Sequence, residues 1–156
     1  LLLENNADVN LEKNHNLTPL HAAAYRGYVD ACKLLIKYGA IIDSKSDDGD
    51  TPIYYAAGKG HVEVIQLLID NGANVNHKSN DGDTPIYYAA GKGHVEVIQL
   101  LIDNGADVNI KNNLERTPLS IAIENVEVMK VLIENGANIN HKSLQNGSTP
   151  LHVAVS

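Results

Sequence analysis

The feature that most constrains this chain is a Thr-Pro pair that returns almost every 33 residues. It occurs at residues 18–19, 51–52, 84–85, 117–118 and 149–150, so the steps are 33, 33, 33 and 32 residues. A Gly-Ala pair follows the same period at residues 39–40, 72–73, 105–106 and 136–137. A fixed period of this length predicts an array of repeated structural units.

Residues 46–78 illustrate how one repeat begins. Asp48-Gly49-Asp50 is typical of a turn. Thr51 is expected to cap the following helix through its hydroxyl, and Pro52 suits the first helical position, where no N–H is needed.

The same repeat predicts two short helices. The first is expected to end at 58–60, and the second to run over 62–70 with a broad apolar face. Gly72 stands where a left-handed C-cap is expected. Helices shorter than about 12 residues do not persist alone in water, so neighbouring repeats must stack to supply the core.

Charge and cysteine content exclude several functions. The net charge of −7 argues against a general nucleic-acid binder and against binding to an anionic membrane. Cys32 is the only cysteine, which excludes an internal disulfide and a cysteine-based zinc site and suits a reducing compartment. No apolar run is long enough to cross a bilayer, and no secretory leader is expected.

These motifs resemble the ankyrin repeat. The closest match to its first helix is Thr18-Pro19-Leu20-His21-Ala22-Ala23-Ala24, and the closest match to its exit is Gly105-Ala106-Asp107-Val108-Asn109. The resemblance covers essentially the whole chain. It implies an all-α solenoid of stacked helix-turn-helix repeats with β-hairpin-like finger turns. It also implies a concave binding face formed by the fingers and first helices.

The predicted organisation is a single array. Four repeats are placed at 13–45, 46–78, 79–111 and 112–142, between partial repeats at 1–12 and 143–156. The fourth is two residues short and lacks Gly-His between its helices, so we expect a distorted or shortened helical corner there. Neither end resembles a polar capping repeat, which favours a fragment of a longer array.

Some positions depart from the family pattern. The histidine that follows Thr-Pro-Leu in the family is replaced by Tyr54, Tyr87 and Ser120 in the second to fourth repeats, and Asp43 replaces the usual exit asparagine. We therefore expect these repeats to satisfy their turns with other hydrogen bonds.

Partner contacts are implied, by the resemblance, at the finger tips and at the ends of the first helices. An exposed Tyr–Arg pair beside a leucine has the composition of a binding hot spot, and a row of finger aspartates favours a basic partner. The alternative is that the aspartates are only solvated. The predicted binding residues are Asn14, His15, Leu17, Tyr25, Arg26, Asp47, Asp48, Asp50, Lys59, Asp81, Asp83, Lys92, Asn113, Leu114, Arg116 and Glu124.

Other candidate sites have structural interpretations. His61 and His94 are interpreted as inter-helix turn residues rather than metal ligands, and His21 as structural. Gly58-Lys59-Gly60 lacks the spacing of a phosphate loop. His77 and His141 are predicted to be solvated, and Tyr55 and Tyr88 to pack between repeats rather than contact a ligand.

The sequence predicts a non-catalytic protein–protein interaction module with no metal or cofactor. The partner is expected to be a protein with a basic surface, with no nucleic acid and no membrane insertion. A monomer in the cytoplasm is expected, or a secreted chain if it belongs to an effector or toxin. The alternatives are a structural spacer in a larger protein and a targeting segment of an enzyme, effector or toxin.

Overall fold

Residues 8–140 are described by a computed structural model, and that range is all-helical. It contains eight α-helices and a short 3-10 helix at Asn14–Asn16, with no strand beyond the isolated bridge between Lys13 and Leu17. This confirms the all-α repeat prediction. In chain order the helices are α1 (Pro19–Arg26), α2 (Val29–Lys37), α3 (Pro52–Lys59), α4 (Val62–Asp70), α5 (Pro85–Lys92), α6 (Val95–Asp103), α7 (Pro118–Ile121) and α8 (Val126–Glu134).

The helices form two layers. The first layer contains α1, α3, α5 and α7, and the second contains α2, α4, α6 and α8, so each odd-numbered helix packs against the next odd-numbered helix and against its even-numbered partner. The core repeats with the same period as the sequence, since Leu20, Ile53, Ile86 and Leu119 are all essentially inaccessible. Each such side chain contributes about 1.5 to 3 kcal/mol by burial, and stacking thereby stabilises helices too short to form alone.

The first-layer helices begin at threonines that differ in one respect. Thr18, Thr84 and Thr117 each accept a hydrogen bond from the backbone N–H three residues later, at 3.5, 3.4 and 3.4 Å. Thr51 occupies the same N-cap position, but its fully buried hydroxyl has no hydrogen-bond partner among residues 8–140. The prediction that Thr51 caps α3 with its side chain was therefore wrong, whereas Pro52 begins that helix as expected.

The fourth helix pair has the shortened corner that its sequence predicts. Helix α7 contains four residues, whereas α1, α3 and α5 contain eight each. Glycines cap those three longer helices in left-handed conformation, and Ala122 ends α7 without one. Asn125 then caps α8 by accepting from the N–H of Val128 at 3.1 Å.

The fingers are five-residue hairpin turns. The first residue donates its N–H to the carbonyl of the fifth, as in Ser46 to Asp50 at 3.0 Å and Ser79 to Asp83 at 2.9 Å. The fourth residue has positive φ in each of the four fingers within residues 8–140, with glycine at Gly49 and Gly82 but Glu115 at φ 58° in the fourth finger. Non-glycine side chains adopt this region at a cost, so the fourth finger is strained where the second and third are not.

Candidate binding face

Successive fingers are joined into one continuous edge by backbone hydrogen bonds. The N–H of Asp47 donates to the carbonyl of His15 at 2.9 Å, and the N–H of Asn80 donates to Asp48 at 2.8 Å. The N–H of Asn113 donates to the carbonyl of Asp81 at 2.9 Å. This ladder fixes the spacing of the finger side chains along the stack.

Asparagine side chains reinforce the ladder. The Nδ2 of Asn80 donates to the carbonyl of Asp47, and the Nδ2 of Asn113 donates to the carbonyl of Asn80, both at 2.8 Å. Asp47 stands one period before Asn80, and its side chain has no N–H group to donate. Its carboxylate instead lies 3.6 Å from Nδ1 of His15.

Most of the predicted binding residues are accessible. The partly buried ones are Leu17, Asp50, Asp83 and Arg116, and the exposed ones are Asn14, His15, Tyr25, Arg26, Asp47, Asp48, Lys59, Asp81, Lys92, Asn113, Leu114 and Glu124. Their role in binding stays a prediction.

Two of the finger aspartates lie in unusual electrostatic surroundings. Burial raises the pKa of Asp50 to about 6, against a hydrogen bond from Tyr55 that lowers it, and the charges of Asp48, Asp83 and Asp81 raise it further. Burial also raises the pKa of Asp83, although the Nδ2 of Asn112 donates to its Oδ1 at 2.7 Å and opposes the shift. Asp50 and Asp83 are therefore less readily ionised than fully solvated aspartates would be.

Tyrosines of the first-layer helices form a cluster of contacting rings. Tyr25 and Tyr54 each meet Tyr55 edge-on with ring centroids 6.1 Å apart. Tyr54 stacks on Tyr88 at 4.7 Å with the planes 20° apart. The ring of Tyr88 lies against the α-carbon of Gly58, where a Cβ would overlap it. Packing of Tyr55 and Tyr88 between repeats is confirmed, and the glycine one period after Tyr25 was the signal that sequence reasoning missed.

Two lysine ammonium groups lie over tyrosine rings of this cluster. The Nζ of Lys59 is 4.5 Å from the ring centroid of Tyr25, and the Nζ of Lys92 is 5.6 Å from that of Tyr88. Both are within cation–π distance. Arg26 stands one period before Lys59, so a basic residue recurs in the last turn of α1, α3 and α5.

A groove opens between α1 and α3. It has a volume of about 280 Å³, and the predicted Leu17, Tyr25 and Arg26 meet there. The remaining lining residues are His21, Ala22 and Tyr55. None of the predicted residues of the fourth repeat lines this groove, and Glu124 lines a separate pocket of about 260 Å³ together with Lys92.

The histidines hold neighbouring segments together. The N–H of Thr18 donates to Nδ1 of buried His21, so its Nε2 carries the proton and donates to the carbonyl of Asp50 at 3.1 Å. Burial lowers the pKa of His21, which favours this neutral form. His61 and His94 each place Nε2 3.1 Å from a carbonyl of the preceding helix pair, at Tyr25 and Gly58. The structural interpretation of all three is confirmed.

The prediction that His77 is solvated was wrong. Its Nε2 donates to the carbonyl of Gly49 at 3.0 Å, and the ring is partly buried. Sequence alone gave no sign of this bond because its acceptor lies 28 residues earlier in the chain. His141 lies outside the described residues.

The exit asparagines form a second ladder that sequence reasoning did not assign. Asn76 donates Nδ2 to the carbonyl of Gly105 at 2.9 Å and accepts from the N–H of Asp107 at 2.9 Å. Asn10 and Asn109 bridge to the following repeat in the same two-bond way. At the equivalent position Asp43 makes only the accepting hydrogen bond, from the N–H of Asn74 at 3.1 Å.

Two negative findings apply to residues 8–140. No three His, Cys, Asp or Glu side chains come close enough together there to hold a metal ion. None of the helices in that range is long and apolar enough to cross a lipid bilayer.

Comparison with known proteins agrees with this architecture. A family model described as ankyrin repeats (3 copies) matches residues 1–79, 38–112, 74–143 and 111–156. Histone-lysine N-methyltransferase EHMT1 from Mus musculus and from Homo sapiens are each 44% identical over 50 residues, which is 31% of this chain but only 4% of either relative. Because the family matches overlap across the whole sequence and the helices recur with the same period, the chain belongs to the ankyrin repeat family.

Proposed function

We propose that this chain is a non-catalytic module that binds another protein along its fingers and first-layer helices. Ankyrin repeats are generally protein–protein interaction modules. The observation that carries the finer proposal is the groove between α1 and α3, which Leu17, Tyr25 and Arg26 line together. Tyrosine and arginine are enriched among residues that dominate binding energy.

The acidic edge is proposed to select a basic surface. Asp47, Asp48 and Asp81 are exposed on fingers whose spacing is held by hydrogen bonds. Fixed charges of one sign increase the rate of encounter with an oppositely charged partner and make that rate dependent on salt. We therefore expect the fingers to steer the partner and the groove to retain it.

The test is a partner screen followed by matched variants. For a partner recovered with the wild-type chain, Tyr25→Ala combined with Arg26→Ala should weaken binding at least tenfold by surface plasmon resonance. The control replaces exposed second-layer residues, Lys33→Ala with Glu63→Ala, and should leave the affinity unchanged. Unchanged binding by the first double variant would place the site elsewhere.

Charge reversal separates steering from anchoring. Asp48→Lys with Asp81→Lys should lower the association rate constant and flatten its dependence on salt, with a smaller effect on dissociation. Equal association rates for variant and wild type would remove the basic partner from the proposal.

A monomer acting in the cytoplasm completes the proposal. The single cysteine is buried, and burial raises its pKa to about 11, so its thiol is unreactive and suits a reducing compartment. Sedimentation and fractionation of the tagged full-length protein test these two points. We assign no methyltransferase activity, because the matched segment is 4% of that enzyme.

A structural spacer is the second candidate function. The finger and exit ladders run through consecutive helix pairs and favour a regular rod-like stack. A screen in which every partner contact maps outside this chain would favour the spacer over the binding module.

A further inference from the structure

The junction between α5–α6 and α7–α8 lacks a contact that the two earlier junctions share. At each earlier junction a histidine is the N-cap of the second-layer helix, and its Nε2 lies 3.1 Å from a backbone carbonyl of the preceding first-layer helix. His61 meets the carbonyl of Tyr25 in this way, and His94 meets that of Gly58. Each acceptor stands two residues before the left-handed glycine that ends its helix. The same ring therefore fills the same place twice in the stack.

Asn125 stands in this place at the later junction. It is the N-cap of α8, as the two histidines are of α4 and α6. Its Oδ1 accepts from the N–H of Val128 at 3.1 Å, and its Nδ2 lies against Gly93, where an added Cβ would approach it to 2.6 Å. An asparagine side chain is shorter than that of histidine. Within residues 8–140, Nδ2 of Asn125 donates to no acceptor.

The carbonyl that a histidine would meet at this junction is that of Gly91, two residues before Gly93. No donor among residues 8–140 bonds to this carbonyl, and Gly91 is exposed. The pocket of about 260 Å³ that Lys92 and Glu124 line opens here, with Gly91, Gly93 and Asn125 in its walls. We call this pocket the notch. It combines a free acceptor, a free donor and the space of one side chain.

The chemistry of the notch favours a neutral ring over a cation. Neutral imidazole has one N–H donor and one nitrogen acceptor, which match the carbonyl of Gly91 and Nδ2 of Asn125. Lys92 and Glu124 carry opposite charges, so a bound cation would be attracted by one and repelled by the other. An enclosed cavity of about 150 Å³ can hold a benzene ring, so the notch has room for the smaller imidazole ring.

We propose that the notch binds the imidazole of a histidine carried by the partner protein. The partner would thereby supply the ring that the chain itself provides at the two earlier junctions. Lys92 and Glu124 are among the predicted binding residues, so the histidine is expected on a segment that runs along the ends of the first-layer helices. This inference rests on the proposed function and names one side chain of the partner.

The probe is N-acetylhistidine methylamide, titrated into the isotope-labelled full chain at pH 8, where imidazole is mostly neutral. It should bind saturably in the millimolar range and shift the NMR amide signals of Lys92, Gly93 and Glu124. Acetamide, guanidinium and N-acetylalanine methylamide should each bind more weakly by about fivefold or more, which is the effect of one lost hydrogen bond. No saturable binding of the histidine probe, or equal binding by any comparison compound, would overturn the proposal.

Two substitutions at Asn125 test the location. Asn125→His copies the residue of the two earlier junctions and should weaken probe binding about fivefold or more, because its own ring fills the notch. Asn125→Ser keeps an N-cap oxygen but removes the Nδ2 donor, and it should weaken binding in the same direction. Glu127→His places a histidine on the exposed surface of α8 and should leave binding unchanged. Urea unfolding checks that the variants are folded, and undiminished binding by both Asn125 variants would exclude the notch.

The preceding junction supplies a positive control. His94→Gly removes the ring that meets the carbonyl of Gly58 and should create a second site, seen as additional probe-dependent shifts at Lys59 and Gly60. Shifts at Gly60 in this variant without shifts at Gly93 would show that the ring binds only where a histidine has been removed. That result would overturn the proposal.

Failure of this inference can be distinguished from failure of the proposed function. A protein partner that is lost on Tyr25→Ala with Arg26→Ala, but tolerates Asn125→His and the replacement of each of its own histidines, would overturn the notch proposal alone. Unchanged partner binding by the Tyr25 and Arg26 double variant, together with a loss on Asn125→His, would support the notch and overturn the groove as the main site.

Discussion

The helix pairs α3–α4 and α5–α6 have almost the same sequence but different surroundings. Residues 44–76 and 77–109 differ at three of 33 positions. Nevertheless Tyr54 stacks on a neighbouring tyrosine, whereas Tyr87 is buried with only 9% exposure. Gly58 is buried beneath Tyr88, whereas the equivalent Gly91 is exposed. Equivalent residues of two nearly identical repeats therefore differ in burial and in ring contacts because different residues follow them in the stack.

The three differences between the two segments fall on hydrogen-bonding positions. Ser44 contacts the Thr18 hydroxyl at 3.3 Å, whereas His77 reaches Gly49. Asp47 meets His15, whereas Asn80 donates to a finger carbonyl. The third difference, Asn74 against Asp107, keeps the same hydrogen bond, since each side chain accepts from the backbone N–H two residues later. The segments thus diverge mainly where their preceding neighbours differ.

The largest expected difference concerns the two helical glycines. Alanine is preferred over glycine in a helix by about 1 kcal/mol, so Gly91→Ala should be neutral or stabilising, as its Cβ would meet only Ile121 at 3.2 Å. Gly58→Ala should destabilise by about 1 to 3 kcal/mol because the new methyl group overlaps the Tyr88 ring. Urea unfolding measures both. The double variant Gly58→Ala with Tyr88→Ala should recover part of the loss, and equal effects at the two glycines would refute the comparison.

Two substitutions in the exit ladder should change the free energy of unfolding in opposite directions. Asn76→Asp removes the donor to Gly105 and should cost about 1 kcal/mol. Asp43→Asn supplies the amide that the earlier interface lacks and should stabilise by roughly 0.5 to 1 kcal/mol. Thermal and urea unfolding of both single variants provide the measurement. Destabilisation by Asp43→Asn would show that its carboxylate has a role beyond accepting from Asn74.

The threonine caps predict a smaller contrast. Thr84→Val removes the bond from the N–H of Tyr87 and should destabilise by about 0.5 to 1 kcal/mol. Thr51→Val removes a buried hydroxyl without a partner and should be close to neutral. A loss at Thr51 as large as that at Thr84 would indicate that the Thr51 hydroxyl does cap α3.

The smallest expected effect is a change of stability with pH. Because the pKa of Asp50 is raised from 3.8 to about 6, its contribution favours the folded state below about pH 4 and is lost as the pH rises through 6. Asp50→Asn should therefore gain stability over wild type between pH 4 and 7, by a modest amount because solvent screens this half-exposed group. Asp83→Asn should show less, since Asn112 already stabilises that carboxylate. Urea midpoints at four pH values give the comparison, and parallel profiles for wild type and Asp50→Asn would contradict it.

The sequence predicted most of the backbone features that lie within one repeat. The bounds of α4 at Val62–Asp70, the positive φ of Gly72 and the shortened corner at α7 all follow from local pattern and spacing. The errors at Thr51 and His77 concern side chains whose surroundings depend on other parts of the stack. The groove between α1 and α3 is lined by residues from two repeats, among them Ala22 and Tyr55, and the period predicts that such positions are neighbours but not how their side chains pack.

The finger and exit ladders also present the same donors and acceptors at each junction between repeats. Asn76 and Asn109 offer the same donor and acceptor to whatever follows, and each finger presents a carbonyl to the next finger. Removing residues 77–109 would bring Ile110 directly after Asn76 and place Asn113 opposite Asp48, with complementary groups at the new junction. Such a chain can gain or lose a whole copy without inventing a new interface, so its length can change in evolution faster than its fold.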